Sequence, residues 1–335
     1  MLWNLWYVSF TRADYAAALA SAERLMATAS QGGDRQLSME GHHALWPTLT
    51  SMGRPLQALA HLRDGLALYS PEEDAAQRFM YGGHDPGVCA HIHGALASWL
   101  AGLPERALRE REEALRLARR IDHPFTAAMM LFYTATVLYL CGERDRAGED
   151  FERCHELAQE YAFLRWIDLS AIPRQLRSGA QVDAGALAQM RRWLESTRTP
   201  SWHLATSACA LAELFTDAGR AAEAAQLVRS FGERSLAHCL GPELLRREAE
   251  LLHAQPSDHA AAEVRFRMAM ELARQQDSPA HELRAATGLA RLLAAQGRAT
   301  EARALLAPIH DAFTEGRDMK DLGAARAVLA SVGAG

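Results

Sequence analysis

The sequence predicts an all-α solenoid of about eight helical hairpins stacked in chain order and closed by a C-terminal capping helix. Two observations predict it. Pro86, Pro124, Pro200, Pro242 and Pro279 each open an apolar-periodic segment, and Gly102, Gly142, Gly219 and Gly297 close four of those five, sixteen to nineteen residues later. Proline suits a first helical turn because its missing N–H had no partner there. Glycine suits the residue past the end because it accepts left-handed dihedrals. Second, small residues recur seven before, five after and twelve after each glycine, where the two helices of a hairpin would cross. They are Ala95, Ala107 and Ala114 around Gly102, then Ala135, Ala147 and Cys154 around Gly142. Gly219 has Ala212 and Ala224 before the third place drifts to Phe231; Gly297 has Ala290 and Ala302 before Ile309; Gly53 has Trp46, Ala58 and Gly65.

These offsets resemble the tetratricopeptide repeat, stretched from its usual 34 residues to about 37–40 by longer helices. The resemblance implies a right-handed solenoid whose A helices line a concave groove, each hairpin shielded by its immediate neighbours. The pairs are read as Leu2–Ala29, Gln36–Tyr69, Pro86 to the helix after Gly102, His123–Tyr161, Phe163–Ser196, Pro200–Ala237, Pro242–Gln276 and Pro279–Phe313, with a final helix near Asp318–Ser331. As one unit over 1–335, that gives N-terminal repeats 1–69, an insertion 70–85, repeats 86–313 and a cap 318–331. In the insertion, Ser70-Pro71 is read as capping a short helix to Met80 before the loop Tyr81–His84. Pro173 falls inside the A helix of the fifth pair and should kink or split it. Gly179 would close that pair, and Gly185 sits inside its B helix.

Composition excludes several classes. Hydrophobic residues make up 49% and charged residues 23%, and the net charge of −5 gives no reason to expect a nucleic-acid partner. Lys320 is the single lysine, and Arg119/Arg120, Arg191/Arg192 and Arg246/Arg247 read as solvated helix faces among carboxylates. Cys89, Cys141, Cys154, Cys209 and Cys239 are odd in number and irregularly spaced, which suits reduced thiols in a cytoplasm. The apolar start, Leu2 to Phe10, lacks a cationic lead and a small-residue cleavage site. Pro124 to Gly142 is uncharged, but its threonines, tyrosines and place in the rhythm favour a buried helix over a membrane span.

A second resemblance covers nearly the whole chain. The stretches Glu40–Leu45, Tyr81–Val88, His123-Pro124-Phe125, Glu282–Thr287 and Phe313–Gly316 resemble the C-terminal repeat region of large bacterial proteins. Those proteins carry a class III adenylate/guanylate cyclase domain, a STAND-type ATPase domain and then the repeats. The resemblance implies a sensing or regulatory arm without cyclase or ATPase chemistry of its own.

The residues agree on that last point. The sequence contains no G-x-x-x-x-G-K-[ST] loop, no G-x-S-x-G elbow and no His-Glu pair with a second histidine one turn on, so no catalysis and no cofactor are expected. Three features carry functional expectations. His84, Cys89 and His93 have metal-ligand spacing, Cys89 and His93 being four apart on one helix face. The alternative is an Asp85 N-cap before a first-turn proline with Cys89 packed inside. The groove positions fall on Trp99, Phe132, Thr136, Tyr139 and Trp166, and later on Glu213, Thr216, Arg284 and Arg291. That pattern suits a protein or peptide partner, a cyclase/ATPase domain among them, or a small ligand among the rings. The alternative is that the rings are ordinary inter-helix core. Finally, Leu2, Trp3, Trp6 and Phe10 give the opening helix an apolar face, which a partner, a preceding domain or a second copy would cover.

Overall fold

A computed structural model describes residues 1–177, 182–197, 201–234, 236–254 and 256–333. They form eighteen α-helices and no strand. The first pairs are α1 (Leu2–Thr11) with α2 (Tyr15–Gly32) and α3 (Arg35–Ser51) with α4 (Pro55–Leu68), followed by the short α5 (Gln77–Met80). Then come α6 (Pro86–Leu100) with α7 (Pro104–Ile121), α8 (Pro124–Leu140) with α9 (Arg144–Glu160), and α10 (Leu164–Ser170) with α11 (Ala184–Ser196). The last are α12 (Trp202–Asp217) with α13 (Ala221–Arg234), α14 (Gly241–His253) with α15 (His259–Gln275), α16 (Pro279–Ala295) with α17 (Ala299–Asp311), and the cap α18 (Lys320–Val332).

Local chemistry sets these ends. Pro86, Pro124, Pro242 and Pro279 stand in the first turn of their helices, and Gly102 and Gly142 turn the chain between A and B helices at φ of +76° and +83°. Pro200 and Gly179 lie outside the described residues. Asp85 caps α6, its carboxylate accepting the Val88 N–H at 3.0 Å. In the fifth pair α10 stops at Ser170 and Pro173 starts a separate 3₁₀ turn to Leu176, because proline cannot donate into the preceding turn. The insertion is less helical than expected. Residues 71–76 form turns, held by the buried Asp74 carboxylate, which accepts the Ser70 N–H at 2.8 Å and pairs with Arg35 at 2.8 Å.

The small residues sit where the crossings require them. Ala95, Ala107, Ala114, Ala135, Ala147, Cys154, Ala224, Ala290 and Ala302 are all completely buried, as tetratricopeptide-like packing demands. The layers differ chemically. Inner helices such as α6 and α8 are uncharged and buried around nearly their whole circumference, whereas the outer α7 and α9 bury one stripe and show arginines and glutamates to water.

The inner helices are buried all round because the coil closes on itself, which corrects the expectation of neighbour-only contacts. Trp202 Nε1 donates to Ser51 Oγ at 3.1 Å, and the Cys239 N–H donates to the Ser51 carbonyl at 2.8 Å. Ser278 Oγ donates to the Leu100 carbonyl at 3.1 Å. Gly102 lies under Phe313 and Pro279, and Gly142 under Lys320. Glu315 Oε1 accepts the N–H groups of Glu105 and Arg106 at 2.8 and 3.0 Å, capping α7 from about two hundred residues away. Because that cap ties the C-terminal segment to the third hairpin across the coil, Glu315→Ala should lower unfolding free energy by about 1 kcal/mol. An unchanged urea midpoint would show that the cap contributes nothing.

The closure is also lined with neutral histidines. His203 Nε2 meets Tyr133 Oη at 2.9 Å, and His281 Nδ1 meets Ser278 Oγ at 3.1 Å. Gln276 Nε2 donates to the His238 carbonyl at 3.1 Å. Burial holds His203 well below the ordinary imidazole range, His238 near 4 and His281 near 3. The unfolded chain protonates all three below about pH 6.5 and the folded chain does not, so the unfolded state binds more protons and stability falls on acidification. The loss reaches about 1.4 kcal/mol per pH unit for each imidazole. Urea midpoints at pH 7.5, 6.5 and 5.5 should fall progressively; a flat profile would mean that these rings are charged in the fold.

Candidate functional site

One large cavity, about 520 Å³, remains along the inner wall, between the C-terminal ends of α8 and α12, the inner faces of α14 and α16, and the start of α18. Behind its arginine wall lies Glu243, 1% exposed, gripped by two guanidiniums of its own helix and one of α16. Arg246 donates to it through Nε at 2.9 Å and Nη2 at 2.6 Å. Arg247 Nε and Arg284 Nη1 approach the same carboxylate at 3.3 Å without hydrogen-bond alignment, leaving two buried N–H groups with no hydrogen-bond acceptor among the described residues. Burial alone would raise the Glu243 carboxyl, but Arg246, Arg284 and Arg247 outweigh it and hold it well below the ordinary range.

The walls continue the network. Tyr139 Oη donates to Glu213 Oε1 at 2.8 Å and accepts from Arg247 Nη2 at 3.1 Å, while Arg247 also pairs with Glu213. Arg144 pairs with Asp217, Arg246 with Glu250, and Arg284 with Asp321 at 3.6 Å. Two cations at the rim, Arg291 and Lys320, are exposed and have no carboxylate partner among the described residues. In a chain of net charge −5, the cavity therefore offers unneutralised positive charge at its rim.

Of the residues predicted for the groove, Tyr139, Glu213, Thr216, Arg284 and Arg291 line this cavity. Trp99, Phe132, Thr136 and Trp166 are placed elsewhere, each 3% exposed or less. Phe132 packs on Phe151 and Trp166 at 5.4 and 5.7 Å; Trp99 lies edge-on to His281 at 4.9 Å with Arg284 over its face. Thr136 Oγ1 donates to the Phe132 carbonyl of its own helix at 3.0 Å. Closure of the coil covers Trp99 with the opposite turn, whereas Phe132 and Trp166 are ordinary core between adjacent helices. Arg246 and Arg247 correct the reading in the other direction, their side chains being 5% and 20% exposed rather than solvated. Five charged residues, Glu243, Arg246, Arg247, Glu248 and Glu250, on one A helix, where the A helices α6 and α8 carry none, were the signal for it.

The opening helix needs the same correction. Trp3 and Trp6 are 5% and 3% exposed, Trp6 Nε1 donating to Thr48 Oγ1 at 2.8 Å, and Leu2 and Phe10 are half-buried against the core. Its exposed edge is Leu5, Tyr7 and Val8. No helix among the described residues is long and apolar enough to cross a membrane. The five cysteines are free and buried.

Under α1 the structure gathers His84 and Cys89 with His43 instead of His93, their ligand atoms all within 4.8 Å of one another. His93 is buried beside them, edge-on to Tyr133 at 4.9 Å, with Nδ1 lacking a partner. Burial pushes His43 and His84 down to about 3 and the Cys89 thiol up.

No family model matches the chain. A 160-residue stretch, 48% of the chain, is 24% identical to the uncharacterized protein R02095 of Rhizobium meliloti (strain 1021), spanning 15% of that protein's length. The crystal structure of yeast Tom70 is similar over 95% of this chain and 60% of Tom70, at 18% identity and a TM-score of 0.43.

The Glu243 network fixes a stability expectation. Removing its charge leaves buried guanidiniums unpaired, so Glu243→Gln should cost about 3–5 kcal/mol. A carboxyl held low in the fold contributes stability above its unfolded pKa of about 4.3 and loses it as pH falls through that region. The penalty of the variant should therefore be full at pH 7 and shrink below about pH 4; a penalty independent of pH would show that packing and not charge is responsible.

Proposed function

We propose that the chain is a non-catalytic interaction and regulatory module that engages an anionic segment of a protein or peptide partner in the arginine-walled cavity. The observation that carries this reading is the pair of cations without a carboxylate partner among the described residues, Arg291 and Lys320, at the rim of a cavity also lined by Arg144, Arg246, Arg247 and Arg284. A carboxylate or phosphate group would pair with these two exposed cations at little reorganisation of the wall, since its guanidiniums are already fixed by Glu243, Glu213 and Asp321.

The resemblance of Tyr81–Val88 and Glu282–Thr287 to cyclase–STAND ATPase proteins makes such a domain the natural partner, with this array as its sensing or scaffolding arm. The Rhizobium relative, of which the match spans only 15%, is long enough to carry further domains. Reduced, buried cysteines suit a cytoplasmic working place.

A second reading is favoured by the cavity's size. At about 520 Å³ it falls in the range of small-molecule sites, so an anionic metabolite could be the occupant, with the sensor built on arginines instead of aromatic rings.

Isothermal titration with acidic and with amide-neutralised peptides, and thermal-shift measurement with small polyanionic metabolites, separate the readings. Arg291→Gln and Lys320→Gln should each weaken the bound anion about tenfold, one charge-assisted hydrogen bond apiece, without changing helicity. Binding that ignores both substitutions and added salt would remove the cavity from the account.

A further inference from the structure

We propose that His43, His84 and Cys89 form a structural zinc site that ties the second hairpin, the 81–85 loop and the third hairpin together. The three ligands come from three separate segments: His43 from the middle of α3, His84 from the loop before α6, and Cys89 from the first turn of α6. Two imidazoles and one thiolate are a donor set that zinc takes readily.

The outer hydrogen bonds aim these rings. His84 Nδ1 donates to the Gly82 carbonyl at 2.9 Å, and a carbonyl only accepts, so the hydrogen is on Nδ1 and Nε2 presents its lone pair inward. His43 Nδ1 lies 2.8 Å from Glu40 Oε2, the carboxylate–histidine arrangement that orients a metal-binding ring. The two Nε2 atoms then face one another at 3.0 Å. Nitrogens bound to one tetrahedral zinc stand about 3.3 Å apart, so the rings need to open by only a few tenths of an ångström.

Three orphaned groups around the cluster find a use in such a site. Glu40 Oε1 is buried without a hydrogen-bond partner, and its carboxylate together with the Cys89 thiolate matches the charge of a zinc dication. Trp46 Nε1, also buried without one, lies beside Cys89 as a donor to its sulfur. His93 Nδ1, likewise unpaired, borders a cavity of about 60 Å³ that runs past His43, His84 and Cys89 beneath Trp6 and Tyr7. That space holds a water to complete the coordination, with His93 to fix it.

The test uses the full, untagged chain. Purified from zinc-supplemented cells and dialysed, it should retain stoichiometric zinc, and the zinc K-edge absorption of the wild type should fit nitrogen neighbours with one sulfur. The metal-free chain titrated with Co²⁺ should show tetrahedral ligand-field bands and a thiolate-to-cobalt charge-transfer band. Cys89→Ser should abolish the charge-transfer band while circular dichroism stays unchanged, and His43→Gln and His84→Gln should weaken cobalt at least a hundredfold. Glu40→Gln should weaken it about tenfold. His42→Gln, next in sequence but paired with His61, should leave affinity unchanged. A chain that holds no zinc, an absorption spectrum without sulfur, or binding abolished by His42→Gln would each overturn the proposal; the first two need no variant.

Discussion

The structure depends on closure of the coil, which brings the A helices of the early hairpins against those of the late ones and leaves the inner face open to water at the arginine-walled cavity. A helix surrounded on all sides must satisfy its polar groups internally or carry none. The hydroxyls of the inner helices do this without outside help. Thr48, Thr50, Thr134, Thr136 and Thr287 each donate to the carbonyl four residues back, so a polar side chain sits in the core with its one donor already used. The outer helices face a looser requirement, since only one stripe meets the inner layer, and their charge pattern follows that stripe.

α14 is the exception, and closure explains its form. A charged inner helix is tolerable only if every charge has partners close at hand, because an unpaired buried charge costs far more than a buried pair returns. Glu243 lies between Arg246, Arg247 and Arg284, and Tyr139 reaches in from α8 to Glu213. A well-packed apolar helix would serve stability as well or better. The charge therefore has its structural consequence at the cavity, whose wall Arg246, Arg247 and Arg284 form.

Much of the fold was legible because its signals are local. A proline in a first turn or a glycine in the left-handed region acts within a few residues, so the hairpins, the split at Pro173 and the small-residue crossings could all be read along the chain. The seam could not. Ser51 with Trp202 and Glu315 with Glu105 are far apart in sequence, and nothing about a serine or glutamate announces a distant partner. The site was misread for the same reason. Trp99, Phe132 and Trp166 have helical spacing whether a groove is open or filled, and only superhelix pitch decides which. Arg246 and Arg247 look solvated unless the neighbouring turn is known to cover them. His43 lies in the Glu40–Leu45 stretch, yet its meeting with His84 requires the 70–85 insertion to fold back over α3.

The two polar centres sit in different relations to the seam. The histidine–cysteine cluster belongs to hairpins two and three, on one side of it, so a metal there would stiffen neighbours that already touch. The cavity takes its walls from α8 and from α12, α14, α16 and α18, so it spans the joint itself. An anion seated there, as proposed above, would bridge Arg144 of the fourth hairpin to Arg291 of the eighth and Lys320 of the cap. The closing contacts combine polar pairs, a capped helix end, a tryptophan on a serine and a serine on a carbonyl, with packing of Phe313 and Pro279 over Gly102 and of Trp99 edge-on to His281, so the joint is built of the same materials as the hairpins it joins.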